Sequence, residues 1–180
     1  SSLDGKTFAE FRFNARHIEN NFTLAFTSNA ALLPAAPLSG LNRVIVITSP
    51  SSASASELVI NALKPFTNVV LIGGTTFGKP YAFQPRDFCG TTYSAVNFEF
   101  VNALGAGGFI NGIAPTCTVE DDLDHQLGDS NEARLAAAIN YIKTGACPGD
   151  ATGRFAQSAR TPPGKEAVFG DQTAKQLIID

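Results

Sequence analysis

The sequence has 180 residues, of which 44% are hydrophobic and 16% charged, and its net charge is -3. This length suits one domain with a core of its own rather than two. This negative net charge gives no sign of the basic surface that nucleic-acid-binding proteins carry. No apolar run approaches the roughly 18 residues needed to cross a membrane. We therefore expect a globular domain that neither binds nucleic acid nor spans a membrane in this segment.

The first forty residues contain one well-defined pattern. Residues 7–14 alternate aromatic and polar side chains, which predicts a strand. Residues 15–42 are mixed, and the stretch 20–40 could hold a helix that Pro34 and Pro37 interrupt. The start of the chain lacks the basic flank and apolar core of a signal peptide, so a secretory signal would lie outside this sequence.

Residues 43–74 form the best-defined unit. An unbroken β-branched run at 43–49 predicts a strand buried on both faces of a parallel sheet. After a turn of small residues, apolar side chains recur at helical spacing in 56–66, and a second apolar run follows at 68–74. This order predicts parallel pairing with a right-handed crossover, and it places the protein in the α/β class.

A second set of elements follows residue 90. Residues 91–103 alternate in polarity and predict one longer strand. The next stretch contains Gly105, Gly107 and Gly108, which predict a hairpin turn before another short strand. The pattern at 128–145 then predicts the clearest helix of the chain.

The predicted helix at 128–145 has signals at both ends. Asp129 or Ser130 can cap its start, and Glu132 lies in its first turn. Gly145 lies at its exit, where a left-handed residue commonly ends a helix.

The composition changes after Cys147. Gly, Pro, Thr and Arg dominate residues 148–165, which predicts a loosely held tail followed by a late strand or helix at 166–180. We therefore expect a domain at 1–147 and a C-terminal extension at 148–180.

Three cysteines, Cys89, Cys117 and Cys147, allow at most one internal disulfide. A bridge between Cys117 and Cys147 would tie the exit of the last helix to the loop before its entry, and three buried thiols are the alternative. No C-x-x-C pair supports a zinc site. The acidic stretch 120–129 matches no metal-loop spacing, so we expect a solvated turn and no metal.

Residues 73–79 nearly spell a phosphate-binding loop. Gly73, Gly78 and Lys79 have the spacing of G-x-x-x-x-G-K-[ST]. That loop needs a hydroxyl for Mg²⁺ at the next position and a helix that continues from it, but this position is Pro80. The pattern therefore argues against nucleotide binding and leaves Lys79 to be explained.

A serine-rich turn, S-S-A-S-A-S-E at 51–57, lies between the first strand of this unit and its helix. Such a turn presents hydroxyls in front of a helix N-terminus, whose N–H groups and partial positive charge favour an alkoxide and a tetrahedral oxyanion. Serine is also a common helix cap, so the turn by itself favours a structural role.

A serine nucleophile needs a base, and the two histidines, His17 and His125, lie outside the unit that carries the serines. Lys79 follows the second strand of that unit, at the sheet edge that also holds 51–57. Lysine side chains act as bases near neutral pH where burial lowers their pKa. The neighbours of Lys79 are uncharged and mostly apolar, which fits that requirement.

Residues 43–84 resemble the core of the carboxyl-terminal processing, or tail-specific, serine proteases. In that family a Ser-Ala-Ser-Ala-Ser-Glu turn carries the nucleophile on its middle serine, and Phe-Gly-Lys carries the base. Matched motif to motif, the resemblance implies Ser54 as nucleophile, Lys79 as general base and Glu57 as a glutamate that members commonly keep. It also implies a ClpP/crotonase-like fold of repeated strand–strand–helix units and, with a looser match at 112–142, a bacterial periplasmic or extracellular location.

Two departures from the family pattern concern the site. Members often place a glutamine four residues after the lysine to orient it, but this position is Phe83, and a one-residue bulge would be needed to bring Gln84 there. The glycine-rich loop that supplies part of the oxyanion hole, and the peptide-binding PDZ domain, do not occur before residue 43. The sequence therefore resembles the C-terminal part of a catalytic domain, with Ala55 N–H as one oxyanion donor and the second in the missing N-terminal half.

The resemblance implies a serine endopeptidase that hydrolyses unfolded or C-terminal protein segments with Ser54 and Lys79 and needs no metal or organic cofactor. A fragment without one oxyanion donor would lose about 100–1,000-fold in turnover. The alternative is a non-catalytic module of the same fold that binds extended peptides or apolar ligands. Such a module needs neither side chain, so the presence of both favours the enzyme.

Overall fold

A computed structural model describes residues 3–29, 31, 38 and 40–149. In chain order its elements are β1 (Thr7–Phe13), a 3-10 helix (Ile18–Asn20), β2 (Phe22–Ala25), β3 (Arg43–Thr48), α1 (Ala55–Leu63), β4 (Asn68–Gly73), β5 (Tyr81–Phe83), β6 (Arg86–Phe88), β7 (Thr91–Tyr93), β8 (Val96–Val101), β9 (Cys117–Thr118) and α2 (Ala133–Thr144). The mixture of sheets and helices confirms the predicted α/β class.

The strands form three sheets within the described residues. One is antiparallel with the order β2-β1-β8-β5. The second is parallel with the order β3-β4-β9, and the third is the β6–β7 hairpin. Strands β3 and β4 of the parallel sheet end shortly before the two motifs of the candidate site. The next strand after Lys79, β5, belongs to the antiparallel sheet.

The predicted strand–helix–strand unit is confirmed. β3 and β4 run parallel, with register partners from Arg43 and Asn68 to Thr48 and Gly73. β4 lies in the middle of its sheet and is buried from its third residue onward. β3 is less buried than expected, since it is an edge strand among the described residues and leaves Ile47 44% exposed.

The two helices cover opposite faces of β4. Because successive strand residues point to opposite faces, alternate residues of β4 enter two different clusters. On the α2 side the cluster consists of Val70, Ile72, Cys117, Val119, Ala137 and Ala138. On the α1 side it consists of Ile60, Leu71 and Ile113. Each fully buried large aliphatic side chain stabilises this arrangement by about 1.5–3 kcal/mol.

The single strand expected at 91–103 is wrong. The chain forms β7 and β8 instead, and these belong to different sheets. β7 pairs with β6 through a two-residue turn at Cys89 and Gly90, whose φ angles of 49° and 75° are both positive. A type I′ turn requires positive φ at both central residues, and it folds β7 back on β6 before β8 begins.

The ends of α2 differ in part from expectation. Glu132 is its N-cap, and the side chain accepts hydrogen bonds from two backbone N–H groups of the first turn. The predicted caps Asp129 and Ser130 are wrong, because the helix begins at Ala133, three residues later than a cap at Asp129 requires and two later than a cap at Ser130 requires. Gly145 has φ 75° in the left-handed region and ends the helix as expected.

Cys117 of β9 and Cys147 after α2 form a disulfide across 30 residues, with an S–S distance of 1.95 Å. Cys89 is a free, exposed thiol on the β6–β7 turn. The bridge fastens the end of α2 to the strand beside β4.

No helix in the described ranges is long and apolar enough to cross a bilayer.

Some expectations fall outside the described ranges. Part of the stretch expected to hold a helix forms β2, while Pro34 and Pro37 are not among the described residues. The tail predicted at 148–165, apart from its first two residues, and the element predicted at 166–180 also lie outside them.

Candidate active site

Both sequence motifs leave the same edge of the parallel sheet. Thr48 and Gly73 are register partners at the ends of β3 and β4, so the serine turn and the lysine loop start side by side. The two loops then bond to each other, since Phe77 N–H donates to the Ser52 carbonyl at 2.8 Å. A parallel sheet thus brings together residues that are far apart in sequence.

Ser54 lies at the sharp turn from this edge into α1. Its φ of 54° and ψ of -113° are unusual for a residue with a side chain. Residues held in such conformations cost of order 1–3 kcal/mol and cluster at functional sites, because the surrounding structure must enforce them. The Ser54 N–H donates to Glu57 Oε2 at 3.0 Å, which provides that restraint.

Glu57 is fully buried and accepts four hydrogen bonds. Its Oε1 accepts from Thr76 Oγ1 at 2.5 Å and from Gly78 N–H at 2.7 Å. Its Oε2 accepts from Ser54 N–H at 3.0 Å and from Lys79 N–H at 2.8 Å. A buried carboxylate is costly unless it is well hydrogen-bonded, and here both oxygens are satisfied by donors from the two loops.

The carboxylate of Glu57 therefore fastens the two predicted catalytic residues to one point. The N–H groups of Ser54 and Lys79 donate to the same oxygen, so their nitrogens can be no further apart than the two hydrogen bonds laid end to end. Lys79 is partly buried. The structure thus brings together Ser54, Glu57 and Lys79, all three of which the sequence motifs named.

Residues 110–113 form a wall of the site that sequence analysis did not single out. Thr76 Oγ1 accepts from Ile113 N–H at 2.7 Å, and Thr76 N–H donates to the Ile113 carbonyl at 3.1 Å. Gly78 has φ 88°, and a Cβ there would lie 2.3 Å from the Ile110 carbonyl oxygen. A Cβ on Gly112 would lie 2.0 Å from the Thr76 carbonyl oxygen, so the two backbones meet with no room for side chains.

Only a weak signal could have identified this wall. Thr76 lies inside the same short motif as Lys79, but a hydroxyl there is equally typical of a turn. Gly112 belongs to a glycine-rich stretch in which several glycines look alike in sequence. Their roles depend on contacts between segments 37 residues apart, as in the Thr76–Ile113 bond.

The two backbone N–H groups at the start of α1, those of Ser54 and Ala55, differ in whether they already have an acceptor among the described residues. Ser54 N–H is already taken by Glu57. Ala55 is the first residue of α1, and its N–H has no acceptor within the part of the chain that the structure describes. The first N–H groups of a helix have no intrahelical partner and carry partial positive charge, so Ala55 N–H is suited to an anionic oxygen.

Gln84 does not have the arrangement expected of a residue that orients Lys79. It is exposed, and its Oε1 accepts from Arg86 at 3.1 Å. The register of β5 and β8 does shift between Ala82 and Phe83, but the extra residue is Asn97 on β8. The irregularity therefore lies on the opposite strand from the one expected, and the geometry gives the predicted role no support.

The acidic stretch 120–129 is held by ion pairs. His125 Nδ1 lies 2.8 Å from Asp122, whose hydrogen bond raises the pKa of His125. Burial alone would raise the pKa of Asp122, but hydrogen bonds from His125 and from two backbone N–H groups outweigh it and lower this pKa. Arg134 lies 2.9 Å from Asp121. Within residues 3–29 and 40–149, no group of three or more His, Cys, Asp and Glu side chains could hold a metal ion.

Residues 14–119 match the model of peptidase family S41. The chain belongs to peptidase family S41. The match contains the whole serine turn, the lysine loop and the wall formed by 110–113. No curated protein matches the sequence.

Three solved structures are similar to parts of this chain. One from Bacteroides fragilis, described as an S41 protease, is 28% identical with a TM-score of 0.70, over 80% of this chain and 38% of that chain. A lipoprotein from Streptococcus agalactiae is similar in fold, with a TM-score of 0.53 and 15% identity over 79% of this chain and 46% of that chain. The photosystem II D1 C-terminal processing protease gives a TM-score of 0.45 and 21% identity over 66% of this chain and 28% of that chain. The S41 chain thus spans less than half the length of each.

Proposed function

We propose that this S41 chain contributes Ser54 as nucleophile and Lys79 as general base to a serine endopeptidase. The observation that supports it most strongly is the shared Glu57 oxygen, because the carboxylate bonds the backbone of both residues at once. A purely structural helix cap would need the Ser54 bond alone. The unusual backbone of Ser54 is a second support, since it is enforced at the one serine that the motif selects.

The proposed reaction uses side chains and backbone of this chain. The neutral amine of Lys79 accepts the hydroxyl proton of Ser54 as the Ser54 oxygen attacks a peptide carbonyl. Ala55 N–H and the N-terminus of α1 stabilise the resulting oxyanion. The Lys79 ammonium then protonates the leaving amine, and water hydrolyses the ester that remains on Ser54.

The second oxyanion donor and the substrate path are further parts of the proposal. We place that donor in the glycine-rich loop that tail-specific proteases carry and that residues 1–42 lack. In the proposal this loop belongs to an N-terminal half of the catalytic domain, and a PDZ domain is a further partner. The substrates are unfolded or C-terminal protein segments. In this scheme residues 1–147 belong to the catalytic domain and 148–180 form an extension.

A bacterial periplasmic or extracellular location belongs to the same proposal. The Cys117–Cys147 disulfide supports it, because structural disulfides persist in oxidising compartments and are rare in the cytosol. The measurement that addresses it is the redox state of these two cysteines after trapping in cells with a thiol-blocking reagent. Free thiols in the trapped protein would contradict the proposed location.

The catalytic roles are tested by single substitutions in the intact protein, assayed on an unfolded protein substrate. We expect Ser54→Ala, Lys79→Ala and Lys79→Arg each to lose at least about 1,000-fold in kcat/KM. Lys79→Arg is informative because a guanidinium stays protonated and cannot act as the base. Ser56→Ala is the matched control, since Ser56 is an exposed serine of the same turn.

Folding of each variant is checked by urea unfolding. Retained activity in Ser54→Ala, or in Lys79→Arg, would overturn the assignment of that residue. Peptide binding without turnover by the intact protein would instead support a non-catalytic module of the same fold.

A further inference from the structure

β5 begins two residues after Lys79 and lies at the edge of its sheet. It pairs on one side with β8, and among the described residues no strand pairs with its other side. The Pro80 carbonyl accepts from Phe100 N–H at 3.3 Å. Inward and outward backbone groups alternate in antiparallel strands, so the N–H and C=O of Tyr81 point away from β8. An extended peptide can bond to such an edge through its main chain.

A groove of about 260 Å³ is lined mainly by residues of β1 and β8 and, from β5, by Tyr81. Its lining includes Tyr81, Glu99 and Arg12, which are register partners across β5, β8 and β1. Register partners in an antiparallel sheet share a face, so these three side chains form one row. Tyr81 is 44% exposed and Glu99 is half-buried. A side chain of a docked peptide on this face would contact the Tyr81 ring and the Glu99 carboxylate.

Counted together with Glu10, the partner of Arg12 on β1, the row has two carboxylates and one guanidinium and so an excess of negative charge. Arg12 donates to Glu10 at 2.8 Å, and this hydrogen bond lowers the pKa of Glu10. Glu99 forms no ion pair within the described ranges. One guanidinium therefore faces two carboxylates and bonds only Glu10. A lysine or arginine side chain complements this groove, because its charge balances Glu99 and its stem can pack on the Tyr81 ring.

We propose that the free edge of β5 binds an extended segment of the protein substrate and that Glu99 selects a lysine or arginine side chain in that segment. This proposal rests on the proposed peptidase function, which supplies the reason for a peptide to lie beside Lys79. Glu99 acts as a specificity-determining residue, and Tyr81 forms the apolar wall of its subsite.

Binding of uncleaved peptides tests the subsite. The probes are short fluorescein-labelled peptides of alternating valine and serine, with lysine, norleucine or glutamate at the central position. We expect Ser54→Ala protein to bind the lysine peptide about fivefold more tightly than the norleucine peptide, and the glutamate peptide more weakly still. Adding Glu99→Gln should abolish the preference, whereas adding Glu19→Gln, which removes an exposed carboxylate elsewhere, should retain it.

Backbone methylation tests the strand edge. The lysine peptide is prepared with N-methyl groups at alternate residues, in two versions shifted by one position. Only one version should lose binding, because only one set of N–H groups faces β5. Equal loss in both versions, or in neither, would overturn docking along this edge.

The outcomes separate this proposal from the peptidase proposal. Equal affinity for the lysine and norleucine peptides, a preference that survives Glu99→Gln, or no binding of any peptide would overturn the subsite. These readouts do not require turnover. A Glu99-dependent preference in a protein that cleaves nothing would contradict the peptidase and support the subsite, and cleavage without the preference would do the reverse.

Discussion

At the scale of single residues, the candidate site depends on a carboxylate that takes no direct part in the proposed chemistry. Glu57 has no exposure to solvent and bonds the backbone of both Ser54 and Lys79. A carboxylate in this position fixes two loops before any substrate arrives, which is the preorganisation that a nucleophile and its base need. Because four donors surround this carboxylate, the side chains that positions such as Gly78 and Thr76 can accept are also restricted.

Gly78→Ala tests how tightly these backbones pack. Gly78 and Gly90 have similar positive φ angles of 88° and 75°, but a Cβ on Gly78 would lie 2.3 Å from a carbonyl oxygen, while one on Gly90 would meet nothing within 4 Å. We expect Gly90→Ala to cost about 1–2 kcal/mol of unfolding free energy from backbone strain alone. Gly78→Ala should cost about 1–3 kcal/mol more. Urea unfolding measures both, and equal losses would contradict the close packing.

Thr76→Val tests the hydroxyl that bonds Glu57. Valine keeps the shape but removes the donor to Glu57 and the acceptor for Ile113 N–H. We expect a loss of about 2–3 kcal/mol in unfolding free energy, because two buried polar groups lose a partner. Thr76→Ser retains the hydroxyl and should lose much less. A valine variant as stable as the serine variant would show that these bonds contribute little.

At the scale of elements, local chemistry decides where each helix begins. α2 starts after Glu132, whose carboxylate accepts from Arg134 N–H at 3.0 Å and Leu135 N–H at 2.7 Å. Asp129 instead bonds Asn131 and shapes the turn before the helix. Several polar residues in succession can cap a helix, and the sequence alone does not rank them.

Glu132→Ala measures this cap. Removing the carboxylate leaves two N–H groups of a buried helix start without their acceptor, so we expect a loss of about 1 kcal/mol in unfolding free energy. Ser130→Ala is the control and should leave stability unchanged, since Ser130 lies outside the cap. Comparable losses in the two variants, measured by urea unfolding, would contradict the cap assignment.

The acidic loop before α2 should respond to pH through His125 and Asp122. The raised pKa of His125 means that its stabilising contribution is complete below its ordinary value of 6.5 and is lost as pH rises through the folded value. The lowered pKa of Asp122 means that its contribution is complete above 3.8 and is lost as pH falls through the folded value. The ion pair therefore contributes most between these two ordinary values.

An NMR titration of His125 tests this pH dependence. We expect its pKa above the ordinary value in the unmodified protein and closer to that value in Asp122→Asn, which cannot carry the negative charge. The same pKa in both proteins would show that the ion pair is not formed in solution.

Several element-level predictions rest on patterns that a sheet environment can change. The parallel unit at 43–74 was predictable because a helix between two apolar strands permits few arrangements. The division of 91–103 between β7 and β8 was not, because alternating polarity is the same whichever sheet a strand joins. The exposure of Ile47 was also not predictable, since a β-branched run does not indicate whether a strand lies at the edge of its sheet.

At the scale of the whole molecule, the described chain is built around β4, with α1 on one face and α2 on the other. The Cys117–Cys147 disulfide fastens the α2 side, because it joins the end of α2 to the strand next to β4. The α1 side carries the serine turn and contacts the antiparallel sheet through buried Asn61 and Asn102.

Replacing Cys117 and Cys147 by serine tests the contribution of the disulfide. A bridge across 30 residues restricts the unfolded chain, so its loss should cost about 3–4 kcal/mol of unfolding free energy. Urea unfolding under oxidising conditions measures the effect, and the m-value should rise as the unfolded chain becomes less restricted. Cys89→Ser is the control and should change nothing, because Cys89 is exposed and free. An unchanged double variant would contradict a stabilising bridge.

The sequence by itself determined the α/β class and the parallel unit, and it singled out Ser54, Glu57 and Lys79 as the proposed catalytic group, because each of these inferences depends on short-range periodicity or on motifs at a fixed spacing. The tertiary structure alone decided that Thr76 and Gly112 complete the site, that Gln84 bonds Arg86, and that Tyr81, Glu99 and Arg12 form one row. These arrangements require strands and loops distant in sequence to meet. Their partners are set by sheet order and register, which local residue patterns do not encode.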